Sequence, residues 1–216
     1  MNLAMPLAAS EETLWKSLPG KVRNQTRKSR REGLRIASGP PDTLRRGFYD
    51  VFRVNMRDLG SPIHAERFFE AAADHLGSRL RFIVATLDER PVGGLVAIHF
   101  GRTVSVPWAS TLRSERPRCP NNLIYWEALR WAVERGAEEF GFGRSASDSG
   151  TFRFKRGWGA EERPLAWTRL GRDGAALPLQ RAGDSALLKR LSRLWTVVPV
   201  PLSAMLGPRV RRFLPE

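Results

Sequence analysis

Cysteine is all but missing from this sequence. A single residue, Cys119, among 216 rules out an internal disulfide and any metal centre built from several thiolates, and a reducing compartment suits such a chain. The three histidines, His64, His75 and His99, lack the close spacing of a zinc site, so no metal is expected. No apolar run approaches the ~18 residues that a membrane span requires. The opening MNLAMPLAAS has neither the positive n-region nor the apolar core of a signal peptide. The expected location is therefore the cytoplasm. Acid is the scarce charge: 22 Asp/Glu against 36 Lys/Arg leave a formal net of +14.

An excess of that size predicts attraction to something anionic, whether RNA, a phosphorylated small molecule or the inner leaflet of a membrane. It is unevenly spread. Lys16 to Arg35 carries eight Lys/Arg and one acid, and Arg181 to Glu216 carries seven and two. The stretch between them has the charge balance of an ordinary domain, and 42% hydrophobic content is enough for its core.

Residues 1 to 15 are mildly apolar and read as the end of something else. From Lys16, KSLPGKVRNQTRKSRREGLRI predicts a basic helix that begins after Pro19 and Gly20 and stops at Gly33, a C-cap glycine. Arg23, Arg27 and Arg30 or Arg31 fall on one face of it, which either meets solvent or binds an anion. Leu34 to Ala37 reads as a short strand before the SGPP turn. A helix capped by Asp42 or Thr43 then carries Leu44, Phe48, Val51, Phe52 and Met56 at helical spacing. Another runs from about Ala65 to Leu76, with Phe68, Phe69 and Ala72 inward. Between the two, Arg57 in NMRDLGSP either pairs with Asp58 or faces a ligand.

Three strand-like runs follow, Leu80 to Leu87, Val92 to Phe100 and Thr103 to Ser110, joined by short connections and so antiparallel. Trp108, near the end of the third, is core or a binding wall. Asn121 or Asn122 is placed to cap a helix from Leu123 to Arg135 closed by Gly136; free amides at such a helix start suit phosphate or carboxylate. A strand from Glu139 to Phe142 leads into FGFGRSASDSGTFRFKRGWGA, where glycine, serine, a lone lysine and aromatics stand together, a mixture suited to a concave site. Leu165 to Leu170 reads as the last strand. Beyond Arg181, the residues Leu187, Leu188, Leu191, Leu194 and Trp195 share one helical face ringed by Lys189, Arg190 and Arg193. Such a tail suits a membrane interface or docking on a domain.

This order matches the fold of the N-acetyltransferase (GNAT) superfamily: α+β, a single domain with a mixed, largely antiparallel sheet flanked by helices. The division expected is an N-terminal segment with the basic helix at 1–33, the acetyltransferase-like domain at 34–172 and a basic amphipathic tail at 173–216. Acetyl-CoA users of the superfamily carry Q/R-x-x-G-x-G/A after the fourth strand. RPVGGL, RGWGAE and QRAGDS come nearest, but all fail at the last position and none falls in the loop before Leu123, so no cofactor is assigned.

Five strings, VRNQTRKSRREGL, NMRDLGSP, PNNLIYWEALRWAVERG, FGFGRS and FKRGWGA, in this order and spacing, resemble the FemAB-like branch of that superfamily. More narrowly they look like the FemAB proteins associated with exosortase and PEP-CTERM systems, over roughly Leu14 to Leu214. The resemblance implies a transferase acting on a cell-envelope or exopolysaccharide precursor. Its donor would be aminoacyl-tRNA or an acyl-CoA, and its acceptor a phosphorylated envelope precursor. Fem-type proteins carry two such domains in tandem, so the resemblance also implies that this chain holds only the second. Met1 would fall where the first domain's last strand ends, and a partner chain would supply that domain.

A site is implied as well. Fem transferases carry a Phe-Lys pair near the aminoacyl donor, which Phe154 and Lys155 match; a fixed ammonium stabilises the oxyanion formed when an amine attacks an ester. Phe154 and Trp158 would wall the site, Arg144 and Ser145 would hold a phosphate or carboxylate, and Arg23 and Arg27 would meet anionic groups. Trp108, Arg57, Asn121 and Asn122 complete the candidate binding set. Asp148, the only acid in the polar loop, is the candidate base, with substrate-assisted or water-relayed proton transfer as the alternative. The plain reading of the same residues is an exposed lysine on a short helix and a structural ion pair at Arg144. Two rival functions stand beside the transferase: a binding module for RNA, membrane or a partner chain, and an acetyl-CoA enzyme with a degenerate loop. Through its tail the chain is expected to touch the inner membrane peripherally.

Overall fold

The computed structural model describes residues 1–37, 41–147, 149–165, 168–172, 174–177 and 186–213. Contacts group the chain into two units, Met1–Asn55 with Glu66–Arg163, and Met56–Ala65 with Pro164–Glu216. The expected boundaries after residues 33 and 172 are not where this grouping falls.

The larger unit is built on a seven-stranded sheet. In chain order it contains β1 (Asn2–Pro6), α1 (Glu11–Ser17), α2 (Gly20–Arg31), β2 (Arg35–Ile36), most of α3 (Pro41–Asp58), α4 (Glu66–Leu76), β3 (Leu80–Leu87), β4 (Arg90–Phe100), β5 (Thr103–Thr111), α5 (Pro120–Glu134), β6 (Glu139–Arg144), α6 (Gly150–Arg156) and β7 (Glu161–Arg163). The strands lie in the order β2-β3-β4-β5-β6-β1-β7. Every neighbouring pair is antiparallel except β5 and β6, which run parallel. This is the α+β architecture, a mixed sheet flanked by helices, that the order of elements predicts.

Local chemistry sets these elements. The turn between β3 and β4 holds Asp88 at φ 49 and Glu89 at φ 62, two left-handed residues whose twist matches that of the strands they join. Alternation along β3 sends side chains to both faces. Ile83 and Ala85 join Leu95, Leu123 and Phe140 in the core beneath α5. Phe82 turns the other way, 5.9 Å from the ring of Phe48 on α3. The helix can lie that close because Gly94 has no side chain: a Cβ there would stand 3.2 Å from Phe48.

The basic helix docks without an apolar stripe. The buried positions of α2 are Val22, Thr26 and Ser29. Thr26 donates to the Val22 carbonyl at 3.0 Å. The Ser29 hydroxyl lies 2.8 Å from Gln25 O and 3.0 Å from Cys119 O, sharing its proton between them. Satisfied hydroxyls thus replace greasy contacts, and Arg27 and Arg30 stay exposed.

Four expectations about elements need correction. Asn2–Pro6, with no element assigned to it from the sequence, is a strand of this sheet, paired with β6 on one side and β7 on the other, with Leu3 and Ala4 0% and 1% exposed. Its five residues are too few for alternation to show. Leu165 to Leu170 is not one strand: β7 closes the sheet, while β8 (Arg169–Leu170) forms a hairpin with β9 (Ala176–Leu177) in the smaller unit. The N-cap of α5 is Cys119, left-handed at φ 58, followed by Pro120, and not Asn121 or Asn122; the fixed φ of proline suits the first helical turn. Phe68 is 39% exposed, while its neighbour Phe69 is fully buried.

The smaller unit carries the β8–β9 hairpin and two helices, α7 (Ala186–Trp195) and α8 (Val200–Arg211). The side chains of Leu187, Leu188 and Lys189, part of the expected apolar and basic face, lie outside the described residues. Among the described residues no helix is long and apolar enough to cross a membrane.

Candidate functional site

The site grows from an irregularity in β6. Its register against β1 passes from Ala4 opposite Gly141 to Leu3 opposite Gly143, which leaves Phe142 as the extra residue of a β-bulge. Gly143 takes φ +76, a conformation that glycine adopts without steric cost. In a regular strand successive carbonyls point to opposite sides. Here the bulge turns two of them to one donor: Lys155 Nζ donates to Gly143 O at 3.1 Å and to Arg144 O at 2.9 Å.

Lys155 reaches that point on α6. Ser149 caps the helix, its Oγ accepting from the Phe152 amide at 3.0 Å. Phe152 and Lys155, three residues apart, share the inner face and are 7% and 5% exposed, while Arg153 and Arg156 face outward. No carboxylate among the described residues pairs with Lys155. Burial without a counter-ion disfavours the ammonium and lowers its pKa from 10.5 to about 8. The lysine is therefore neither exposed nor an ordinary surface cation.

Residues near it in sequence, and the strand residue before Gly143, join an aromatic cluster. Tyr125 of α5 stacks on Phe142 at 5.5 Å and meets Phe154 edge-on at 5.3 Å, and Trp158 lies 6.1 Å from Phe154. Burial raises the pKa of the Tyr125 hydroxyl. Sequence reasoning passes over Tyr125 because it sits in a helix buried all round, where its only signal is one hydroxyl among apolar neighbours.

Of the candidate residues, the fold brings together Lys155, Phe154, Arg144 and Ser145. Ser145 Oγ donates at 2.8 Å to the Arg144 carbonyl that Lys155 also holds. The Ser145 amide donates to Met1 O at 3.0 Å, so β1 ties down the same corner. Trp158 lies close by but is 1% exposed, a core residue and not the wall of an opening, and its Nε1 has no hydrogen-bond partner among the described residues. Asp148 lies outside the described residues.

The others are elsewhere. Trp108 packs on the α4 face of the sheet, 5.4 Å from both Phe68 and Phe69. Asn121 accepts a hydrogen bond from Thr111, and Asn122 donates to Gln25 at 3.4 Å, so both fasten α5 to its neighbours. Arg57 belongs to the smaller unit and pairs with Asp58 at 2.8 Å. Arg27 lies over the Trp15 ring at 5.4 Å, and Arg23 has its Nε buried without an acceptor among the described residues.

The loop from β5 to α5, where a coenzyme pyrophosphate is expected in acetyl-CoA enzymes of this fold, does not fit one. Leu112 to Asn122 contains no glycine. Pro117 and Pro120 remove two amides, and the amide of Asn122 is spent on Cys119 O at 3.0 Å. Within the loop Glu115 is 6% exposed and held by Arg118 at 3.2 Å and Arg90 at 3.6 Å. With the amides of Glu115 and Cys119 also spent inside the loop, few backbone donors remain for a pyrophosphate.

A basic concavity of about 600 Å³ lies apart from the lysine, where α2, β2, β3 and α5 meet. Arg30, Arg35, Arg81 and Arg130 line it together with Leu34 and Leu123. Arg130 is neutralised by Glu11 at 2.8 Å and Glu127 at 3.0 Å. Arg30 and Arg81 make no ion pair among the described residues. The cluster is invisible in sequence because its arginines come from four elements.

The fold is shared with known proteins. FemX superposes with a TM-score of 0.63 at 14% identity, over 74% of this chain and 58% of FemX. An aminoglycoside acetyltransferase, meta-AAC0020 from an uncultured soil metagenomic sample, gives 0.53 at 15%, over 65% of this chain and 97% of that one. The C-terminal DUF2156 domain from Agrobacterium fabrum gives 0.55 at 11%, over 74% and 56%. The chain thus spans little more than half the length of FemX. No curated protein matches it. With residues 18–156 matching the family described as Acetyltransferase (GNAT) domain, the chain belongs to that family.

Proposed function

We propose that this GNAT-family chain is an acyltransferase of Fem type that moves an acyl or aminoacyl group onto an amine of a cell-envelope or exopolysaccharide precursor. One observation carries the reading. A lysine is buried without a counter-ion among the described residues and pinned by two carbonyls of a bulged strand, which is costly for structure alone and useful for stabilising a transient negative charge.

An ammonium has three N–H groups. Gly143 O and Arg144 O take two from Lys155, leaving one for the oxyanion that forms when the acceptor amine attacks the donor carbonyl. As the bond to the leaving oxygen breaks, the amine must lose a proton and that oxygen must gain one. With a pKa of about 8, Nζ can give its proton to the leaving oxygen and take one from the amine. With Lys155 5% exposed, little water reaches that point. The unfit coenzyme loop favours a donor other than acetyl-CoA, and aminoacyl-tRNA is the donor that the FemAB resemblance implies.

The basic concavity supports an anionic substrate. Across the four strand spacings from β2 to β6 it lies roughly 20 Å from the lysine, at about 4.8 Å per strand, so one ligand reaches both only if it is long. A lipid-linked sugar diphosphate or a nucleic-acid donor meets that condition. The resemblance to PEP-CTERM-associated FemAB proteins makes an exopolysaccharide precursor the first acceptor to try. Transfer of a labelled amino acid or acyl group should be followed from a panel of aminoacyl-tRNAs and acyl-CoAs, with Lys155→Ala slowing it by about 100-fold. Transfer undiminished in Lys155→Ala would remove the lysine from the mechanism. Transfer from acetyl-CoA alone would overturn the Fem-type donor.

A further inference from the structure

The helix α8 packs inside out. Its buried positions are Ser203 and Gly207, four residues apart and both small. At Gly207 the missing side chain lets the backbone of Ile63 come close: a Cβ would stand 3.0 Å from Ile63 N. The large apolar residues face away, with Leu202, Met205, Leu206 and Val210 exposed by 46%, 56%, 40% and 38% and Phe213, just past the end, by 77%. Their spacing of three, four, eight and eleven residues from Leu202 draws one stripe along the helix. A helix that merely docks on its own protein has the opposite arrangement.

The charge around that stripe has one sign. From Ala186 to Phe213 there are six Lys/Arg and no Asp or Glu. Arg209, Arg211 and Arg212 gather at the C-terminal end of α8, and Arg190 and Arg193 are exposed on α7 beside Leu191 and Leu194, themselves 50% and 56% exposed. None of these arginines has an acidic partner among the described residues. A surface for another protein carries a mixed polar rim; here the single uncharged polar side chain of α8, Ser203, is turned inward and bonded to Val200 O at 3.0 Å.

We propose that α8, with the exposed edge of α7, is a docking surface for an anionic lipid bilayer. The helix lies along the interface with its stripe among the acyl chains and its arginines at the phosphates. At twelve residues it extends about 18 Å, too short to cross. Phe213, with Arg212 stacked over it at 5.0 Å, sits at headgroup depth.

Co-sedimentation of the full chain with vesicles of phosphatidylcholine, with and without phosphatidylglycerol, tests this. Retention is expected on the anionic vesicles and at least ~10-fold less on the neutral ones. The double variant Met205→Ser, Leu206→Ser should abolish retention with an unchanged circular dichroism spectrum, since both residues are exposed. Equal retention of that variant would mean that net charge alone is at work, and would overturn the proposal. So would the absence of retention, or a dimer in solution that the same variant turns into a monomer, which would make a second copy the occupant. Transfer to a water-soluble acceptor amine should be the same in variant and parent, so failure here is separable from failure of the transferase reading.

Discussion

The ammonium of Lys155 donates to the main-chain carbonyl of Arg144 at 2.9 Å, so α6 is fastened to β6 through backbone atoms of the strand. Among the described residues no carboxylate pairs with that ammonium, and its hydrogen bonds go to main-chain carbonyls.

That has a thermodynamic signature. The folded pKa of Lys155, about 8, lies below its ordinary 10.5, so between those values the unfolded chain binds more protons than the folded one. The burial cost is fully present below about pH 8 and is relieved as the pH rises toward 10.5, by at most about 3 kcal/mol. Urea denaturation at about pH 7 and pH 9 should show the folded state gaining stability relative to Lys155→Met, in which this part of the slope disappears. Parallel curves for the two proteins would mean that the amine is ordinary.

Gly143 is the hinge of the bulge. At φ +76 a side chain is strained, and a Cβ would stand 3.1 Å from Val106 O. Gly143→Ala should cost about 1–3 kcal/mol in denaturant titrations. Transfer activity should fall even at temperatures where the variant is fully folded, because the carbonyls that aim Lys155 move with the bulge.

The basic concavity should bind inorganic pyrophosphate. Calorimetry of the parent and of the pair Arg30→Glu, Arg81→Glu should show the variant weaker by ~10-fold or more, with the parent losing affinity as salt rises. Both guanidiniums are exposed, so the fold is expected to survive the change. Equal affinity in parent and variant would move the anion site elsewhere.

Acetyl-CoA should fail to bind. The glycine-free loop, with few amides left to donate, predicts no heat of binding up to ~1 mM, an affinity limit of about 4 kcal/mol. Saturable binding at micromolar concentration would show that the loop opens, and would restore the coenzyme-dependent reading.

Much of the fold was legible because it is written in short-range patterns. The glycine after the basic helix, the three antiparallel runs and the apolar face of α3 each carry their signal within a few residues. What escaped depends on distance. β1 is recognisable only by its two partners, and the hairpin of β8 and β9 shares its first strand's sequence with what looks like a continuous run. In the site, the phenylalanine and lysine were visible as a motif. The bulge that binds Lys155 was not, because it arises from the register between strands at opposite ends of the chain. Trp158 was misplaced for a related reason: an aromatic beside glycine looks the same whether it lines an opening or fills a core.

The position of β1 also governs how this domain comes into being. Met1 and Ser145 are hydrogen-bonded across 144 residues of chain, and β7, on the other side of β1, comes later still. Such pairings close large loops before they are rewarded, and sheets that depend on them form slowly. During synthesis, β2 to β5 can pair as they emerge, while the segment Asn2–Pro6 waits, apolar and unpaired, for β6 to be made. The lysine corner is therefore among the last parts to assemble, and a chain cut short before β6 has a sheet with an open seam and no site.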